Sequence, residues 1–184
     1  KQVREADGSC QKAVNGWAAQ RAAEGLIPRS VRTGAYCKAR QRLPAEMVMA
    51  MTRETGKLLC AQADSGWRWC GRTVKLIDGT GISMPDTPAN QEHYPQPSNQ
   101  VPGVGFPLAR LVGVICLSTG AVVDAAIGPF QGKGHSEHGL LREIQTALCA
   151  GDVLLADALY CSYWLIASLQ AEGIDVLLEQ HGSR

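Results

Sequence analysis

Two short apolar runs in this chain each end in an aspartate. Val74-Lys75-Leu76-Ile77 leads into Asp78, and Val153-Leu154-Leu155-Ala156 leads into Asp157. Both runs read as buried strands, which puts each carboxylate at a strand's carboxyl end, where open α/β sheets place their chemistry. Two acids side by side repel each other strongly unless a divalent cation neutralises them. The pattern therefore points to metal-assisted phosphoryl transfer.

The chain has 184 residues and is 45% hydrophobic, enough for one good core or for a domain with a smaller module. No apolar run approaches the roughly 20 residues that cross a bilayer. Charges at Lys1, Arg4 and Glu5 have no apolar stretch behind them, so no signal peptide is expected. The expected location is the cytoplasm. The chain does not begin with Met, and His181-Gly182-Ser183-Arg184 is not an obvious domain end, so a piece of a longer protein is expected. Seven cysteines, an odd number with no C-x-x-C pair, argue against a zinc knuckle and a disulfide framework.

The net charge of +1 hides an asymmetry: residues 1–75 hold 14 basic and 6 acidic residues, whereas the remainder holds 4 and 11. A basic half beside an acidic half suits a polyanion-binding surface next to a cation-concentrating site. Chance segregation of surface charge is the competing reading.

Residues 9 to about 62 read as helical. Ser9 can cap a helix running to Ala23, with Gly25 as its stop and Pro28 marking the turn after it. A second helix covers roughly 33–43. A third follows Pro44 through Met47, Met51, Leu58 and Leu59, and the helical spacing of the methionines predicts core positions. From residue 72 the period changes. Strands are expected at 73–78, 111–117, 121–127, 153–157 and 174–178, and helices at 136–149 and 162–172. The order is β-β-β-α-β-α-β, with a hairpin at Ser118-Thr119-Gly120 and a right-handed crossover between the last two strands. The segment Pro85–Pro107 holds six of the nine prolines and reads as a long functional loop. The expected domains are a helical, basic, DNA-binding region at 1–70 and an incomplete catalytic domain at 71–184.

Three blocks carry a family resemblance. The first is Leu76-Ile77-Asp78-Gly79-Thr80 with Thr87-Pro88-Ala89-Asn90, Tyr94-Pro95-Gln96-Pro97 and Gly105-Phe106-Pro107. The second is Ala125-Ala126-Ile127-Gly128-Pro129 with Gly132-Lys133-Gly134. The third is residues 151–157, Gly-Asp-Val-Leu-Leu-Ala-Asp, with Tyr160, Tyr163 and Trp164. Together with the upstream stretch Tyr36 to Pro44, they resemble the DDE transposases of the bacterial insertion-sequence-four group, over about residues 28–184. The resemblance implies a ribonuclease H-like mixed sheet in which the first strand lies beside the fourth. It also implies an Asp-Asp-Glu triad whose first two acids match Asp78 and Asp157. The third acid belongs to a Tyr-x2-Arg-x3-Glu-x6-Lys motif that does not occur here, and the chain stops 27 residues after Asp157. A chain cut before the third acid is expected to be inactive alone. A second departure is Ala158, where the family commonly has Arg.

Such a centre uses carboxylates to hold Mg²⁺ or Mn²⁺, and because Mg²⁺ keeps several waters few protein ligands suffice. Asp78 and Asp157 are the expected ligands; the competing readings are a turn aspartate for Asp78 and a helix N-cap for Asp157. His135-Ser136-Glu137-His138 does not match the helical H-E-x-x-H pattern and reads as a polar helix start. Glu143 and Glu179 read as rim acids. Lys38, Arg40 and Arg42 are candidates for DNA phosphate contacts, and Lys133 for another. In the proline-rich loop, Asn90, His93, Tyr94, Gln96 and Gln100 are candidates for meeting a DNA end, with Tyr94 as a stacking platform. The expected partner is double-stranded DNA, both transposon ends and target, with homodimerisation implied by the resemblance. Two alternatives stay open: a non-catalytic DNA-binding fragment, and another ribonuclease H-like nuclease recruiting an acid such as Glu137.

Overall fold

The computed structural model describes residues 9–27, 30–101 and 103–180. Pro28 and Pro102, read above as turn and loop residues, lie outside the described residues. The chain divides into two compact units, Lys1–Val48 and Met49–Arg184.

The first unit contains α1 (Cys10–Ala23) and α2 (Gly34–Gln41). Ser9 caps α1 by accepting from the Lys12 amide at 3.3 Å, and Gly25, at φ 71°, lies two residues past its end. Ala13, Val14 and Ala18 are its buried side.

The helix α3 (Ala45–Ala61) runs across the boundary between the units, most of it belonging to the second. Met47 and Met51 do not face a core, whereas Met49, on the side of Gly56, is half-buried. Met47 and Met51 are 50 and 59% exposed, which corrects the expectation drawn from their spacing; Leu58 and Leu59 are 61 and 43% exposed. At 100° per residue Met47, Met51 and Leu58 share one stripe, and Gly56 lies on the opposite side. Gly56 is buried: a Cβ there would stand 2.4 Å from the Val122 carbonyl oxygen and 2.8 Å from the Val123 Cα. The helix thus packs closest at Gly56, and Arg53 anchors it with both contacts to the Asp124 carboxylate at 2.9 Å.

One five-stranded sheet forms the centre of the second unit, in the order β3-β2-β1-β4-β5. Its strands are β1 (Val74–Ser83), β2 (Leu108–Cys116), β3 (Ala121–Pro129), β4 (Val153–Ala156) and β5 (Asp175–Leu178). β1, β2 and β3 pair antiparallel, and β4 and β5 continue the sheet parallel to β1. This is the mixed sheet expected from the sequence, with the first strand beside the fourth. β1 runs five residues past Asp78, because the antiparallel ladder with β2 continues to Ser83↔Leu108. The polar stretch Gly79-Thr80-Gly81 has no alternation that would have announced it.

Short α4 (Pro88–His93) lies inside the stretch read as a loop; Thr87 caps it and Pro88 occupies its first turn. α5 (Glu137–Ile144) gives way to a 3-10 turn at Gln145–Ala147, sooner than expected. There Lys75 donates to the Ala147 carbonyl and pairs with Asp152 at 2.7 Å, both charges buried. α6 (Tyr163–Ala171) makes the crossover between β4 and β5. Ile77, Val112, Val114 and Leu154 of the sheet pack with Leu140, Leu141, Ile144, Leu165 and Leu169 of these two helices to form the core.

Candidate functional site

β1 and β4 pair in parallel through three registered positions, Val74↔Val153, Lys75↔Leu154 and Leu76↔Leu155. Asp78 and Asp157 each stand two residues past the last pair, so the register directs them to equivalent places on neighbouring strands. By strand alternation Ile77 and Gly79 face the helices, and Leu76 and Asp78 the opposite side. Both aspartates are exposed.

Each carboxylate commits one oxygen locally. Asp78 Oδ1 accepts from the Gly79 amide at 2.8 Å, and Asp157 Oδ1 accepts from the Leu159 amide at 2.9 Å, capping a 3-10 turn at Ala158–Tyr160. The turn and N-cap readings are therefore satisfied alongside a ligand role, because each group retains a second oxygen. Among the described residues no ion pair involves either aspartate, and no three His, Cys, Asp or Glu side chains close on one point as a metal cage. Two accessible carboxylates offer hard oxygen donors of the kind Mg²⁺ and Mn²⁺ take, with water completing the shell.

Tyr160 is fully buried three residues after Asp157, and its hydroxyl donates to Glu137 Oε2 at 3.1 Å. Burial pushes its phenol far above the ordinary range; the charge of Glu137 and the hydrogen bond it accepts add to this, followed by the charges of Asp157 and Asp78. One tyrosine thus senses all three acids. The Glu137 carboxyl also packs on Gly79, where a Cβ would lie 2.5 Å from Glu137 Cδ. Ser136 caps α5 as the polar helix start requires, accepting from the Gly139 amide at 3.2 Å. The histidines beside it go to different partners: His138 Nε2 contacts the Leu159 carbonyl at 2.8 Å, while the His135 carbonyl accepts from Arg110 at 3.1 Å. Glu143 and Glu179 are exposed.

The other candidates are spread apart along the chain. Lys38 and Arg40 are exposed on α2, and exposed Arg42 is its C-cap. Lys38 and Arg42 are four apart and share a side, with Arg40 between them on the other. Lys133 is exposed in the loop between β3 and α5. Tyr94, half-buried, is the C-cap of α4 with its ring 6.5 Å from that of His93. Gln100 is exposed, but its amide oxygen lies against Gly105, and Gln96 ties the same loop by donating to the Val101 carbonyl and accepting from the Gly103 amide. Sequence reading assigned no role to an exposed aromatic pair at the start of α6, Tyr163 and Trp164, whose rings meet edge-on at 5.4 Å.

Residues 69–182 match the family model described as the transposase DDE domain. The chain belongs to the DDE transposase family. Among curated relatives, the transposase InsG for insertion sequence element IS4, from Escherichia coli strain K12, is 28% identical over 143 residues, covering 78% of this chain and 31% of that protein. InsZ of the same strain is 27% identical over 149 residues, covering 80% and 48%. These relatives bear out the resemblance to the insertion-sequence-four group, and this DDE chain spans a third to a half of their lengths. A solved structure, the Mos1 transposase paired-end complex with left transposon end, aligns at a TM-score of 0.39 with 12% identity, covering 91% of this chain and 57% of that one. Divalent metal use is implied by the DDE family. No helix among the described residues is long and apolar enough to cross a membrane.

Proposed function

We propose that this chain supplies the first two acids, Asp78 and Asp157, of a DDE transposase metal centre that cuts transposon ends and joins them to target DNA. The observation that carries the reading is the parallel register of β1 and β4, which leads both acids to equivalent positions. The chemistry of the pair agrees with it: two exposed carboxylates, each with an oxygen left over, and no basic side chain among the described residues pairing with them. A bound Mg²⁺ or Mn²⁺ would supply Lewis-acid activation of a phosphodiester and of its attacking water or 3′-hydroxyl. The protein's own part is to bring two negative charges to equivalent places on neighbouring strands and leave them open to solvent.

The inferred partner is double-stranded DNA, engaged by a homodimer on paired ends. Lys38, Arg40, Arg42 and Lys133 are proposed phosphate contacts, and Tyr94 a stacking surface. Gln100, packed on Gly105, suits a loop strut better than a base contact. Residues 1–70 are the proposed DNA-binding region, and 71–184 the first part of the catalytic domain.

The test is Mn²⁺ titration of the 184-residue chain by electron paramagnetic resonance. Wild type is expected to bind, and Asp78→Ala and Asp157→Ala are each expected to lose binding at least tenfold. Equal affinity in all three chains would sink the shared site.

A further inference from the structure

We infer that Glu137 and Tyr160 form a brace that fixes Asp78 relative to Asp157, with Glu137 a positioning residue and not a metal ligand. The inference rests on the metal-centre reading above.

The need for a brace comes from the sheet. The β1–β4 ladder ends at Leu76↔Leu155, before either acid is reached. β1 continues beside β2, whereas β4 stops at Ala156 and the chain turns away. No ladder bond therefore holds the second acid against the first.

The start of α5 spans that gap. The Glu137 carboxyl lies on Gly79, next to Asp78, and accepts from the buried hydroxyl of Tyr160, three residues past Asp157. A second tie runs in parallel: His138 Nε2 meets the Leu159 carbonyl at 2.8 Å, and its ring lies 5.5 Å from that of Tyr160. The far side is held from β2. Arg110 stacks over Phe130 at 4.7 Å, donates to the His135 carbonyl, and brings Nε to 3.9 Å from Glu137 Oε1.

These contacts also say what Glu137 is not. Its side chain is only 19% exposed, one oxygen accepts the hydrogen bond of the Tyr160 hydroxyl, and the other faces a guanidinium. A carboxylate so engaged makes a poor ligand and a good support. Partners one step removed from a metal typically change its affinity 10–100-fold when removed.

The experiment uses the whole 184-residue chain with two readouts. In the metal-free protein, the Tyr160→Phe variant is read by NMR at the Gly79 amide, and the Glu137→Ala variant at the Leu159 amide. Each variant is thus read on the segment opposite the change, at an amide that donates to one of the aspartates. Both resonances are expected to move, with circular dichroism unchanged. In Mn²⁺ titration, Tyr160→Phe and Glu137→Ala are expected to lose about tenfold in affinity. Glu137→Gln, still able to accept from Tyr160, should recover most of it. The brace is overturned if both amides stay in place, if Tyr160→Phe binds Mn²⁺ like wild type, or if Glu137→Gln is as weak as Glu137→Ala. If wild type itself fails to bind Mn²⁺, the metal-centre reading falls, while the amide shifts still decide the brace. Should Glu137→Ala not fold, the nearly isosteric Tyr160→Phe carries the test.

Discussion

The hydroxyl of Tyr160 is the residue-scale feature with the clearest pH consequence. Its folded-state pKa lies above the ordinary value of 10.0 because burial and neighbouring carboxylates penalise the phenolate. The stabilisation is complete below pH 10 and is lost as pH rises towards the folded-state pKa, because the unfolded chain releases that proton first. Wild type should therefore lose up to about 1.4 kcal/mol per pH unit above pH 10 from this group. Tyr160→Phe should show a shallower decline; urea midpoints measured from pH 8 to 11 check the difference. The two aspartates were legible because an acid after a short apolar run is a local signal. The Glu137–Tyr160 contact was not, because 23 residues separate partners that share no period. Only the topology joins them.

At the scale of elements, α3 shows why spacing alone misleads. Met47, Met51 and Leu58 keep helical spacing, yet the side that meets β3 is the one carrying Gly56. Close approach of a helix to strand backbone selects a missing side chain, which hydrophobic periodicity cannot register. Gly56→Ala should gain about 1 kcal/mol in helix propensity. It should lose more, because the new methyl meets backbone at Val122 and Val123 that cannot swing aside. A net destabilisation of about 1–3 kcal/mol is expected from overpacking. A urea melt showing a stabilised variant would mean that α3 does not rest on β3. By contrast, α1, α6 and the β2–β3 hairpin were readable, since Ser9, Ser162 and Gly120 signal their own geometry. Thr87-Pro88 held the same kind of signal for α4, hidden by the proline density around it.

For the whole molecule, the basic surplus before residue 75 gives a test independent of the metal. If Lys38 and Arg42 each neutralise a DNA phosphate, removing both should flatten the dependence of log affinity on log salt by about 2. Affinity for unrelated duplexes should fall alike, since phosphate contacts carry no sequence choice. A filter-binding salt series on Lys38→Ala/Arg42→Ala against wild type reads this directly, and an unchanged slope removes α2 from the DNA surface.

Because β4 docks beside β1 only after about 80 intervening residues have folded back, the pairing closes late. A nascent or half-refolded molecule that holds only the β1–β3 meander carries a single aspartate at that edge. On the proposed reading the pair is incomplete until the sheet is finished, so the connectivity itself would act as a safety catch on the polypeptide leaving the ribosome.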